Sequence, residues 1–157
     1  MDMISAHLSY AEATHSATGE MKGLKNVPNE KQLLNMRETA ANVFEKLRAH
    51  FAGLVPNFKG IKVLSFFRSP AVNKAVGGAS NSQHMTGEAQ DLQATEGFTN
   101  ADMFYYIRNH MDFDQLIWEF GNSNEPDWVH VSWSKSRRRK SVLKAVKENG
   151  KTVYKNA

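Results

Sequence analysis

The chain has 157 residues, of which 41% are hydrophobic and 23% charged, with a formal net charge of +4. That length supports one domain with a real core and is too short for two comfortable ones. There is no cysteine, so disulfides and thiolate metal sites are excluded, and any metal must be held by histidine and carboxylate. A basic surface favours polyanions in general, nucleic acids and other anionic polymers alike. The N-terminal residues carry no basic region followed by an apolar run, so a secretory signal peptide is not expected and synthesis in the cytoplasm is. No apolar stretch approaches ~18 residues, so no membrane-spanning helix is expected.

Ser9 followed by Glu12 reads as the cap of a short helix. After Pro28, Asn29 and Gln32 repeat that signal for the main helix. Its apolar stripe is Leu33, Met36, Ala40, Val43, Phe44, Leu47 and Phe51, the spacing of one amphipathic helical face. Gly53, Pro56 and Gly60 break the chain. Ile61 to Phe67 then reads as a strand rich in β-branched and aromatic residues, with Arg68 at its end. A short helix from Ala71 to Val76 ends at Gly77-Gly78, and a polar loop from Ala79 to Thr86 carries His84. Glu88 to Gln93 is a strand carrying Asp91. Thr99 caps a helix that runs to about His110, with Phe98 and Met103 at the positions of a hydrophobic staple. Asp114 to Glu119 and Trp128 to Trp133 are predicted strands, paired as an antiparallel hairpin. Beyond them the tail is basic. Glu148-Asn149-Gly150 is a hairpin signal between Val142–Val146 and Lys151–Tyr154.

Ser82 to Asp91 reads S-x-H-x-x-G-x-A-x-D, and Asp127-Trp128-Val129-His130 follows downstream. His84, Asp91 and His130 are a set of protein ligands that suits zinc with a fourth position left open. Gly87 and Ala89 leave room for a close turn beside the ligands. Trp128, Val129 and Val131 set His130 in an apolar strand, where an unpaired imidazole is costly to bury.

With Phe67-Arg68-Ser69-Pro70, Val76-Gly77-Gly78, Asp114-Gln115-Leu116-Ile117-Trp118-Glu119 and Trp128-Val129-His130-Val131-Ser132, these blocks resemble the zinc D-alanyl-D-alanine carboxypeptidases. That family includes VanX-type dipeptidases and phage L-alanyl-D-glutamate endolysins. The resemblance implies an α+β fold of the hedgehog/DD-peptidase kind, a small antiparallel sheet with helices packed on it. It covers a catalytic core from about residue 9 to 133 within a single domain 1–157, leaving a basic C-terminal extension, 134–157.

The resemblance also assigns roles. One Zn²⁺ is expected on His84, Asp91 and His130. In the family an acidic residue three positions before the last histidine moves the proton, and Asp127 stands there. Residues three apart on a regular strand point to opposite faces, so Asp127 serves only if the backbone after Pro126 is irregular. Glu119, across the hairpin, is the rival; Asp127 is preferred. By the same resemblance Arg68 holds a substrate carboxylate or a developing oxyanion, while Ser82 and Gln83 line the cleft. The implied reaction is hydrolysis of peptidoglycan stem peptides by a monomer that reaches the wall by release, as phage lysins do. No membrane or nucleic-acid partner is expected. Two alternatives stay open: an inactive wall-binding module of the same fold, and a basic nucleic-acid-binding protein built on Arg137–Lys140. That basic run otherwise reads as a solvated edge.

Overall fold

The computed structural model describes residues 2–157. A short ribbon of β1 (Met3–Ser5) and β2 (Leu8–Ser9) opens the chain, an element the sequence does not announce. Then come α1 (Tyr10–Thr14) and α2 (Ala17–Met21). The main helix is built from α3 (Glu30–Thr39), a π-helical turn (Ala40–Phe44) and α4 (Glu45–Leu54). The rest of the chain is β3 (Ile61–Ser65), α5 (Pro70–Ala75), β4 (Ala89–Ala94), α6 (Asn100–His110), β5 (Gln115–Glu119), β6 (Trp128–Ser132), β7 (Ser141–Glu148) and β8 (Lys151–Asn156).

The caps follow the local chemistry read from the sequence. Ser9 with Glu12, Asn29 with Gln32 and Thr99 with Asp102 all form reciprocal capping boxes. On the main helix Met36, Ala40, Val43, Phe44, Leu47 and Phe51 are buried. The π turn within it closes with Glu45 N–H donating to the Ala40 carbonyl. Such a turn inserts one residue and re-phases the stripe, so apolar residues on both halves reach one core. No helix among the described residues is long and apolar enough to cross a membrane.

A six-stranded sheet in the order β3-β4-β6-β5-β7-β8 carries the molecule. It is antiparallel at every contact but one, as the resemblance implies; the exception is β5 with β7, which run parallel. The chain crosses from β6 to the far side of β5 through 133–140 before re-entering the sheet. Asn149 (φ 52) and Gly150 (φ 77) then turn β7 into β8. Two adjacent left-handed residues are what a tight hairpin turn of that type needs.

Alternation divides the sheet's chemistry. Leu92, Leu116, Trp118, Val129 and Val131 join the core cluster that the main helix and α6 cover. Asp91, Ile117, Glu119 and His130 alternate with them and face the other way. Register aligns that second face: Asp91 is opposite His130, His130 opposite Ile117, and Ile117 opposite Leu143. One rung along, Trp128, Glu119, Ala145 and Tyr154 line up in the same manner. The C-terminal hairpin therefore continues the face that carries Asp91 and His130.

Candidate functional site

His84 comes from the loop between α5 and β4, and α3 holds that loop. Gln32 Nε2 donates to the Met85 carbonyl at 3.1 Å, Asn35 Nδ2 to Thr86 O at 2.9 Å, and Thr39 Oγ1 to Gly87 O at 3.2 Å. Gly87 sits at φ 79, and a Cβ there would lie 2.6 Å from the Gln32 carbonyl. Only glycine satisfies both the backbone angle and the close approach.

Asp91 on β4 and His130 on β6 need no loop, because cross-strand register sets them side by side. His130 Nδ1 lies 3.0 Å from Asp91 Oδ1. His84 Nε2 lies 3.3 Å from Asp91 Oδ2. One ligand atom from each of the three residues falls within 4.8 Å of the others.

The donor chemistry tests whether a cation fits. His84 Nδ1 is 2.7 Å from the Phe66 carbonyl, which only accepts, so Nδ1 carries the proton. Burial pushes the His84 imidazole below its ordinary pKa, favouring the neutral ring. Nε2 is then a bare lone pair, buried and without a hydrogen-bond partner, facing a carboxylate oxygen. Two acceptors held together in a dry site need a cation between them. Asp91 supplies the anionic member of the set. Burial alone would raise its carboxyl, but the neighbouring imidazoles, His130 Nδ1 among them at 3.0 Å, outweigh burial wherever they carry a proton and hold it well below the usual carboxylate range. A cation on the bare His84 Nε2 takes the place of such a proton. Two imidazoles and a carboxylate match zinc's preferences.

These atoms open into a cavity of about 690 Å³. Arg68 lines it, with Nε on Ser65 Oγ (3.1 Å), Nη1 on Asn73 Oδ1 (3.1 Å) and Nη2 reaching Asp91 Oδ2 (3.4 Å). Gly78 closes over this arrangement: a Cβ there would fall 2.0 Å from Asn73 Oδ1 and 2.7 Å from Arg68 Nη1. Glu119 also lines the cavity and is 7% exposed. Burial is the main cause that lifts its carboxyl to about 7; Asp91 adds to the rise, while His130 and Arg68 oppose it.

The sequence profile of the peptidase M15 family matches residues 6–132. The chain belongs to the peptidase M15 family. Its members are zinc-dependent, in keeping with the His84, Asp91 and His130 cluster. No curated protein sequence matches the chain.

Within this M15 peptidase, the two candidate acids part company. Asp127 is exposed, and its backbone is tied down: its N–H donates to Glu119 O, and its carbonyl accepts from Gln93 Nε2 and Asn100 Nδ2. It is absent from the cavity lining. Asp127 sits at a bend just ahead of β6, which pairs regularly from Trp128 onward. The irregular backbone lies just before, at Phe120 (φ 55) and Gly121 (φ 69). A Cβ on Gly121 would lie 2.1 Å from the Glu125 carbonyl.

Ser82 and Gln83 both line the cavity, and each also has a local partner. Ser82 Oγ accepts from His84 N–H at 3.2 Å, and Gln83 Nε2 donates to Asp114 Oδ2 at 2.9 Å. Sequence reasoning missed what surrounds Asp114. This fully buried carboxylate also accepts from Arg137 and Arg139, so two members of the presumed solvated edge turn toward the cavity. The basic run carries no periodic pattern, and nothing local marks Asp114 as its partner. Lys147 and Tyr154 of the C-terminal hairpin line the cavity as well.

Proposed function

We propose that this chain is a zinc peptidase that hydrolyses stem peptides of peptidoglycan, with Glu119 as the proton-transferring residue. The buried, unpartnered Nε2 of His84 facing the Asp91 carboxylate carries the metal part of the reading. Membership of the peptidase M15 family supports the reaction class. A zinc ion held by His84, Asp91 and His130 supplies Lewis acidity toward a carbonyl and a water molecule.

The chain's own groups do the rest. Glu119 has a place in the cavity wall, and burial lifts its carboxyl to about 7 in the metal-free chain, so it holds a proton more readily than an exposed acid. It takes the proton of the attacking water and returns it to the leaving amine. Arg68 is pre-set by Ser65 and Asn73 to hold a carbonyl or carboxylate oxygen of the peptide. Both carboxypeptidase action on a terminal D-Ala-D-Ala and endopeptidase action within the stem belong to this reading.

Mass spectrometry of muropeptides after digestion of purified peptidoglycan tests it and names the bond. New peptide termini should form with zinc, vanish with chelator, and be missing in His84→Ala. Tight binding to the wall without new termini would mean a non-catalytic module. Chelator-indifferent, salt-sensitive binding to nucleic acid in place of cleavage would reject the peptidase altogether.

A further inference from the structure

Asp114 stands just before β5 with 0% of its side chain exposed. Its two oxygens accept five hydrogen bonds. Gln83 Nε2 donates at 2.9 Å, Arg137 Nε at 3.2 Å, and Arg139 three times: N–H at 3.1 Å, Nε at 2.8 Å and Nη2 at 3.0 Å. One negative charge thus fixes two guanidinium groups, and a full positive charge is left over at the cavity edge.

The two arginines are not used up by this contact. Arg137 commits Nε alone and Arg139 commits Nε and Nη2, and their side chains stay 53% and 47% exposed. Arg138, between them, turns away: it lies over Trp133, pairs with Asp112 and donates to Ser134 O. The run therefore alternates, sending Arg137 and Arg139 to the cavity and Arg138 elsewhere. Among the lining residues the acids are Asp91 and Glu119, both at the proposed metal centre, whereas Arg137, Arg139 and Lys147 bring cations to the remaining wall. Cations held around a cavity fit a small acid better than an extended polyanion, and a guanidinium fixed in place is suited to paired hydrogen bonds with a carboxylate.

We propose that Arg137 and Arg139 form a second anion subsite, separate from Arg68, which takes a free carboxylate of the peptide away from the scissile bond. The proposal rests on the peptidase reading above for the identity of the ligand as a peptide. In a stem peptide the α-carboxylate of a γ-linked glutamyl residue is such a group. Asp114 and Gln83 act as positioning residues: they tie this subsite to the loop that carries His84.

The test uses two synthetic pentapeptides, L-Ala-γ-D-Glu-L-Lys-D-Ala-D-Ala with the glutamyl α-carboxylate free or amidated. Titration calorimetry and hydrolysis are followed on the zinc-loaded full chain, its Arg137→Gln and Arg139→Gln variants, and Arg139→Lys. The free acid should be preferred by about tenfold or more in affinity, the worth of one charged hydrogen-bonded pair. That ratio should fall toward one in both glutamine variants and partly recover in Arg139→Lys. Equal affinity for acid and amide in the wild type overturns the subsite, as does an unchanged ratio in the folded variants. If Arg139→Gln does not fold, because buried Asp114 loses two side-chain donors, Arg137→Gln decides the matter alone. Displacement of the acid peptide by a short single-stranded oligonucleotide at equal charge concentration would also overturn it, in favour of a nucleic-acid surface. If the wild type binds the acid selectively but cuts neither peptide, the subsite stands and the stem-peptide hydrolase reading falls.

Discussion

Asp127 donates its backbone N–H to the Glu119 carbonyl at 2.9 Å, yet only Glu119 sends its carboxyl into the cavity. Two acids joined through the main chain are thus separated by side-chain direction. Glu119→Gln, which keeps shape and removes the titrating group, should lower kcat by a factor of about 10² to 10⁴, the usual worth of a positioned acid–base group. Asp127→Asn should change kcat by less than about threefold, because surface substitutions away from the chemistry cost little. Kinetics on a chromogenic peptide decide between them, and the reverse ranking would remove Glu119 from the mechanism.

The same carboxyl makes stability depend on pH in the zinc-free protein. Its folded pKa, about 7, lies above the ordinary 4.5, so the folded state binds the extra proton. The stabilisation is complete below pH 4.5 and is lost as pH rises through 7. Glu119→Gln removes that loss and should gain up to about 3 kcal/mol on the wild type at pH 8, with little gain at pH 4.5. Asp91 works in the opposite direction and at lower pH: its depressed carboxyl contributes stability that fades as pH falls below the ordinary carboxylate range. Urea unfolding at both pH values, in chelator, measures the difference; an equal gain at each would show that Glu119 ionises normally.

Zinc should bind one per chain and raise the unfolding free energy by about 2.7 kcal/mol at a hundredfold excess over its Kd. His84→Ala should abolish that increment, since it removes the one ligand whose free nitrogen has no other partner. Metal analysis by mass spectrometry and melting with and without zinc provide the readout. Full retention of zinc by His84→Ala would place the ion elsewhere.

Gly78→Ala should damage activity more than folding. The added methyl falls against Asn73 Oδ1 and Arg68 Nη1, so the guanidinium must shift. A displacement of that size at a substrate-holding group costs about tenfold or more in kcat/KM. The melting temperature should move by only a few degrees, as expected for a change of about 1 kcal/mol. Unchanged kcat/KM would mean that Arg68 does not hold the substrate.

Much of the framework was legible in the chain because it rests on short-range rules. Capping boxes at Ser9, Asn29 and Thr99 act over three residues, the stripe from Met36 to Phe51 follows helical spacing, and Asn149-Gly150 dictates its own turn. The spacing around His84, Asp91 and His130 pointed to three side chains that the fold does bring together, since a motif compresses loop, strand and close packing into one segment. Other features depend on partners far away in sequence. The parallel seating of β7 beside β5 follows from a crossover through 133–140, and no local pattern encodes it. Which of Glu119 and Asp127 lines the cavity depended on how the segment between β5 and β6 folds back. Arg137 and Arg139 gained a place at the cavity only because Asp114, buried more than twenty residues earlier, draws them in. Hydrogen bonds and periodicity within a few residues are written in the chain, whereas register, strand order and burial are settled only when distant segments compete for the same core.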